Sequence, residues 1–153
     1  GKGFTNMLYV TVSTGVGGAH IVNGHLERGQ YNIELGHQNV DGEELENLIS
    51  GTAVFKKYGI HPKNLTDVSI LNSLADSLAK GLYDSVLHFS PEVIVLGGSM
   101  ITGNNAIPVE RVKETLNALV RQYYPTAPEV KKASLDIRGG LYGAMAYLTH
   151  KVI

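Results

Sequence analysis

The stretch VTVSTGVGG (Val10–Gly18) runs from β-branched residues straight into three glycines, with Ser13 and Thr14 between them. A strand that ends so flexibly and so polar is either one arm of a tight hairpin or a place where backbone N–H groups are bared for an anion. A second stretch of the same kind follows later, where Val93–Leu96 empties into Gly97-Gly98-Ser99. In open α/β sheets ligands bind beyond the carboxyl ends of the strands. Glycine there removes the Cβ that would hold a phosphate away, and Ser or Thr adds a hydroxyl. Neither stretch is a GxGxxG fingerprint or a P-loop, so each taken alone reads as a tight turn or as a nucleotide cradle.

Working outward, Met7–Ser13 reads as a central strand, near-continuously apolar or β-branched. AHIVNGHLE (Ala19–Glu27) carries Asn23-Gly24 between apolar flanks, the signal of a type I′ hairpin turn. A third strand is predicted around Leu35–Val40. Glu43–Tyr58 reads as a helix, with Leu45, Leu48, Ile49 and Ala53 on one side, Gly51 as a weak point and Gly59 as its stop. Thr66-Asp67 caps a long helix whose stripe is Val68, Leu71, Leu74, Leu78, Leu82, Val86 and Phe89, ending before Pro91. Pro108 opens another, with Val109, Val112, Leu116, Leu119 and Tyr123. A strand near Val130–Leu135 and a small-residue helix over Gly139–His150 complete the chain. The pattern is one domain over 1–153: an α/β fold with a mixed sheet led by a β-hairpin and helices packed on it.

Composition narrows the function. The chain has 153 residues, a net charge of −1 and no cysteine. Disulfides and thiolate metal sites are therefore excluded, which suits a reducing cytoplasm. Cationic runs stop at the pairs Lys56-Lys57 and Lys131-Lys132, which argues against a nucleic-acid surface in this domain. No apolar run is long enough to span a membrane.

The third polar feature is Ile33-Glu34-Leu35-Gly36-His37, with Glu46 close behind. Carboxylates and an imidazole gathered at one cleft suit a polyhydroxylated ligand, because they accept from vicinal hydroxyls while neutral His also donates. Singly, they also read as a solvated Glu, a capping His and the first-turn acid of a helix. The remaining histidines (His20, His25, His61, His88, His150) lack ligand spacing and read as surface or helix-end residues. Tyr123-Tyr124 reads as core or interface packing, and Asp136 as a cap or a cleft residue.

The order of these motifs resembles the C-terminal domain of the ROK proteins, sugar kinases and sugar-responsive repressors with an actin-like ATPase (RNase H-like) fold. VTVSTGVGG is similar to the family's second phosphate loop, with Ser13 in place of its first glycine. NGHLERGQYNIELGH leads into the sugar-contacting E-x-G-H. LENLISGTAVFKKYG resembles the segment that opens with C-x-E, PEVIVLGGSM the strand and turn against adenosine, and GGLYGAMAYL the closing helix. The resemblance implies that Glu34, His37 and Glu46 hold sugar hydroxyls. It implies that Thr14, Gly15 and Gly17 face the β- and γ-phosphates, and that Gly97 and Gly98 form the nucleoside turn. ATP with magnesium, a hexose or N-acetylhexosamine acceptor, and pairing as a homodimer follow from the same resemblance.

Three departures shape the expectation. Most ROK proteins place a zinc-binding cysteine cluster between E-x-G-H and C-x-E. Here the span is only Gln38–Glu43, and Glu44 stands where the last cysteine would be, so no structural zinc is expected. The family's general-base aspartate lies before the first strand, and no Asp precedes Asp41 in this chain. The N-terminal half with the first phosphate loop is absent. The expectation is thus the C-terminal half of an ATP-dependent sugar kinase, inactive alone. The drift at Ser13 keeps a second reading open, the sugar-sensing domain of a repressor, and a glycine-rich interaction module is a third.

Overall fold

The computed structural model describes residues 3–135 and 138–150; Asp136 lies outside them. Five strands form one mixed sheet, and across it they run β3 (His25–Leu26), β2 (Val16–Val22), β1 (Asn6–Val12), β6 (Val93–Gly97) and β7 (Glu129–Lys132). β1 (Asn6–Val12) alternates, with Leu8, Val10 and Val12 buried in the core. It pairs antiparallel with β2 (Val16–Val22) and parallel with β6 (Val93–Gly97), so it is central as its composition predicts. β2 turns into β3 (His25–Leu26) through Asn23 and Gly24, whose φ values of 52° and 80° are those a type I′ turn needs. β7 (Glu129–Lys132) lies parallel to β6 on the far edge, three residues shorter than the expected reach to Leu135.

Three of the helices supply most of the core's helical side. α3 (Val68–Phe89) starts at Asp67, whose carboxylate accepts the N–H groups of Ser69 and Ile70, and ends on Ser90 in the left-handed region. Its buried stripe of Leu74, Leu78, Leu82 and Val86 meets the sheet and α5 (Val109–Val120), which contributes Val112, Leu116 and Val120. Leu45 and Ile49 of α1 (Leu45–Ile49) close the same cluster. Val68, at the outer end of the stripe, is exposed, and Tyr123 and Tyr124 stand 72% and 43% exposed rather than packed in the core.

Two expectations change around the sugar motif. Residues 35–40 do not form a strand. Leu35–His37 is a 3-10 turn, and β4 is only Asn39–Val40. The two buried side chains there, Leu35 and Val40, are five apart, which no two-residue alternation can serve. The single helix over 43–58 is likewise three pieces. β5 (Glu43–Glu44) pairs with β4, α1 follows, and the chain breaks at Ser50 before α2 (Gly51–Tyr58). Ser50 is extended and its hydroxyl accepts the Ala53 N–H, so it caps a new helix rather than continuing the old one. The weak point foreseen at Gly51 is this break, and Gly59 ends α2 at φ 67° as expected. α4 (Ser99–Thr102), a single turn after Gly98, has no counterpart in the sequence reading. α6 (Gly139–His150) closes the chain with Leu141, Tyr142, Met145 and Leu148 exposed. No helix among the described residues is long and apolar enough to cross a membrane.

Candidate functional site

The turn that ends β1 answers the question its glycines raise. Its carbonyls are occupied: the Ser13 oxygen accepts from Gly51, the Thr14 oxygen from the Thr52 hydroxyl at 2.7 Å, and the Gly15 oxygen from Ser13. The Val16 N–H is also used, donating to Glu46 Oε2 at 2.7 Å. The N–H groups of Thr14 and Gly15 have no acceptor among the described residues. Two adjacent donors are thus left open on a turn whose carbonyls are drawn away by the first residues of α2. That is the polarity an anion requires. A Cβ on Gly15 would stand 2.6 Å from Glu46 Oε2, so only glycine lets the carboxylate sit there.

Glu46 is the first-turn acid of α1, as its position suggests, and it also crosses to the β1–β2 turn. It stands beside the 34–37 turn, which is anchored by buried Leu35. Glu34 and His37 flank that anchor, both exposed. His37 Nδ1 lies 3.1 Å from Glu44 Oε2. The hydrogen bond to Glu44 and its charge, reinforced by Glu34 and Glu46, hold the imidazole above its ordinary pKa against a small desolvation penalty. Glu34, His37 and Glu46 therefore share one local field, and Glu46 joins it to the turn that carries the open amides.

The two glycine turns meet as well. Gly98, at φ 89°, comes so close to the Val12 carbonyl and the Thr11 hydroxyl that a Cβ would overlap them. Ser13, the residue in place of a glycine, shares a 3.0 Å hydrogen bond with Ser99. Gly97 is buried beneath Tyr9 and makes room for that ring. Beyond this bridge a hollow of about 440 Å³ opens between Ser13, Thr14, Thr52, Ser99 and the 103–105 loop. Phe55, His61 and Lys63 line it too, and none of the three was singled out as a ligand contact from sequence. Nothing in their spacing could have found them, because α2 and the 61–64 turn reach the hollow only through the break at Ser50. A second hollow, about 700 Å³, has Glu34, Gly17 and Gly18 on its wall. Among the other histidines, His61 caps the turn after α2, while His20 is half-buried, bonded to Asn6 and stacked near Phe89.

The donor set does not fit a zinc ion. The chain has no cysteine, and the described residues include no group of three or more His, Cys, Asp or Glu that could hold a metal.

This mixed sheet, with a glycine turn at the carboxyl end of each of two neighbouring parallel strands, belongs to the actin-like ATPase fold. The family model described as "ROK family" matches residues 1–151, and the chain belongs to the ROK family. It is 26% identical to a fructokinase of Lactococcus lactis subsp. cremoris, over 96% of this chain and 59% of that protein. It is 31% identical to an N-acetylmannosamine kinase of Yersinia pestis, over 62% of this chain and 42% of that one. Among solved structures it superposes on a ROK hexokinase from Thermus thermophilus with a TM-score of 0.82 and 28% identity, covering 99% of this chain and 60% of the hexokinase. The chain thus spans between about two fifths and three fifths of the length of these relatives.

Proposed function

We propose that this chain is the C-terminal half of a ROK-type sugar kinase, which transfers the γ-phosphoryl group of ATP to a hydroxyl of a hexose or N-acetylhexosamine. One observation carries the reading: Glu46 bonds directly to the turn that bears the open Thr14 and Gly15 amides. A carboxylate suited to sugar hydroxyls and a pair of amides suited to phosphate oxygens therefore stand side by side, as a transfer between the two ligands requires. The relatives named fructokinase and N-acetylmannosamine kinase support the same class of acceptor.

In this reading Glu34, His37 and Glu46 grip the sugar. Each carboxylate accepts a hydrogen bond from a sugar hydroxyl, and so does Nε2 of His37, the ring nitrogen that Glu44 leaves open. The amides of Thr14 and Gly15, with Gly17 beyond them, take up charge on the phosphates. Gly98 and the 440 Å³ hollow beside it receive the nucleoside. A magnesium ion carried on the nucleotide's own phosphates is the ordinary partner of such a donor. The proton of the attacking hydroxyl needs a base, and Asp41, the first aspartate in the chain, is tied to Lys80 at a hairpin tip instead. The base would come from residues upstream of Gly1. Lack of a general base costs ~10²–10⁴-fold in rate, so this chain alone is expected to show no useful turnover.

The test is a coupled ATPase assay with a panel of hexoses and N-acetylhexosamines, run on this chain and on the full-length protein that carries it. Sugar-dependent ADP release by the longer protein only is the expected result. Sugar binding by the longer protein without ADP release would replace the kinase reading with that of a sensor. Turnover by this chain alone would overturn the assignment of the base.

A further inference from the structure

The hairpin between the 34–37 turn and α1 has a purpose that its sequence conceals. β4 and β5 are two residues each, paired Asn39 with Glu44 and Val40 with Glu43. The link is Asp41-Gly42, at φ 54° and 93°, a second primed turn. Leu45 N–H donates to the Gln38 carbonyl at 2.8 Å and closes its base. Lys80 of α3 holds the tip through Asp41, and Ser85 of α3 receives the Gln38 amide at 3.1 Å. A reversal this short and this well tethered brings residue 44 back beside residue 37. Glu44 occupies the N-cap position of α1, yet its side chain caps nothing there and turns to His37 Nδ1 instead.

We propose that Glu44 is the positioning residue of His37: by accepting a hydrogen bond from Nδ1–H it fixes the ring's rotation and tautomer, so that Nε2 is presented, as an acceptor, to a sugar hydroxyl. The inference rests on the kinase reading for the identity of the ligand, although the pairing itself does not. A carboxylate orienting an imidazole in this way is a general device, since the hydrogen bond at one ring nitrogen sets the role of the other. The carboxylates facing the ring are Glu44 from the hairpin, Glu34 from its own turn and Glu46 from α1. Lys80 stands across the hairpin, paired with Asp41. Glu34 and Glu46 supply field without a hydrogen bond to the ring, so they cannot select its tautomer; Glu44 can.

The experiment uses the full-length protein with Glu44→Ala, Glu44→Gln and Glu44→Asp. Both side chains are half exposed or more, so loss of their hydrogen bond is expected to read as a change of roughly 2- to 5-fold. Glu44→Ala is expected to raise the KM for sugar within that range while the KM for ATP and the melting temperature stay near wild type. Glu44→Asp is expected to restore part of the loss. Nitrogen-15 spectra of His37 in Glu44→Gln are expected to keep the Nδ1–H tautomer, because the amide oxygen still accepts, with the ring titrating at lower pH. Unchanged sugar KM in Glu44→Ala, or sugar and ATP KM rising together with a fall in melting temperature, would overturn the proposal. If the wild-type protein binds no sugar, the kinase reading fails on its own. The spectra then still decide the pairing: a His37 tautomer indifferent to Glu44→Ala sinks it.

Discussion

Glu46 is the residue on which two ligands would converge, and its contacts allow two separable tests. Glu46→Ala leaves the partly buried Val16 N–H without an acceptor, which is expected to cost about 1–3 kcal/mol in urea unfolding. Glu46→Gln keeps an acceptor there and removes only the charge. It is expected to unfold close to wild type while losing most of its sugar affinity in calorimetric titration of the full-length protein. Gly15→Ala attacks the same contact from the other side, since its new methyl would collide with Oε2. It is expected to weaken sugar and ATP binding together, whereas a purely local effect would weaken ATP alone. At this scale the closeness of Glu34, His37 and Glu46 was legible, because a short motif keeps them near one another along the chain. The sequence was illegible for Phe55 and Lys63, and for the link between His37 and Glu44. These depend on where a broken helix and a six-residue hairpin send side chains, which carries no periodic signature.

Among the elements, the long apolar stripe and the capped starts were readable, and the short irregular pieces were not. Asp67 is the clearest case. It was named from a Thr-Asp pair before the stripe, and its carboxylate accepts two N–H groups of α3. Asp67→Ala is expected to cost about 1 kcal/mol, measured by chemical unfolding. The 43–58 helix failed for the opposite reason: apolar spacing continued through Ser50, and only the serine cap and Gly51 hinted at two axes. Glu92 provides a pH test for the seam between β1 and β6. It accepts the N–H groups of Asn6 and Thr5 and the Thr5 hydroxyl, and these bonds lower its pKa below the ordinary glutamate value. A carboxylate depressed in the folded state adds stability above its unfolded pKa, near pH ~4.3, and loses it as pH falls through the lower folded value. Glu92→Gln is therefore expected to flatten the acid limb of stability against pH. An acid limb identical to wild type would remove Glu92 from that role.

For the molecule as a whole, the fold class followed from alternation of strand and helix and from five motifs in order. What the sequence could not convey was the geometry of the seam between the glycine turns, since Ser13 and Ser99 are 86 residues apart. The core they overlie is tightly filled. Leu82, 1% exposed and in the centre of α3, is a fair gauge of it. Leu82→Ala is expected to cost about 2–5 kcal/mol in equilibrium unfolding, with the spread set by how far α5 can settle into the gap.

The parallel pairing of β1 with β6 has a further consequence, which concerns synthesis. Thr5 and Glu92, joined across that seam, are 87 residues apart. The hairpin of β1 and β2 can close almost as soon as it leaves the ribosome, but the strand that covers its other flank does not yet exist. At ordinary translation speeds the nascent chain carries this bare edge for on the order of ten seconds. Long-range pairing of this kind is slow and prone to intermolecular mispairing. Yield of the native form should accordingly respond to chaperone supply and to translation rate over residues 27–92 more than to changes elsewhere.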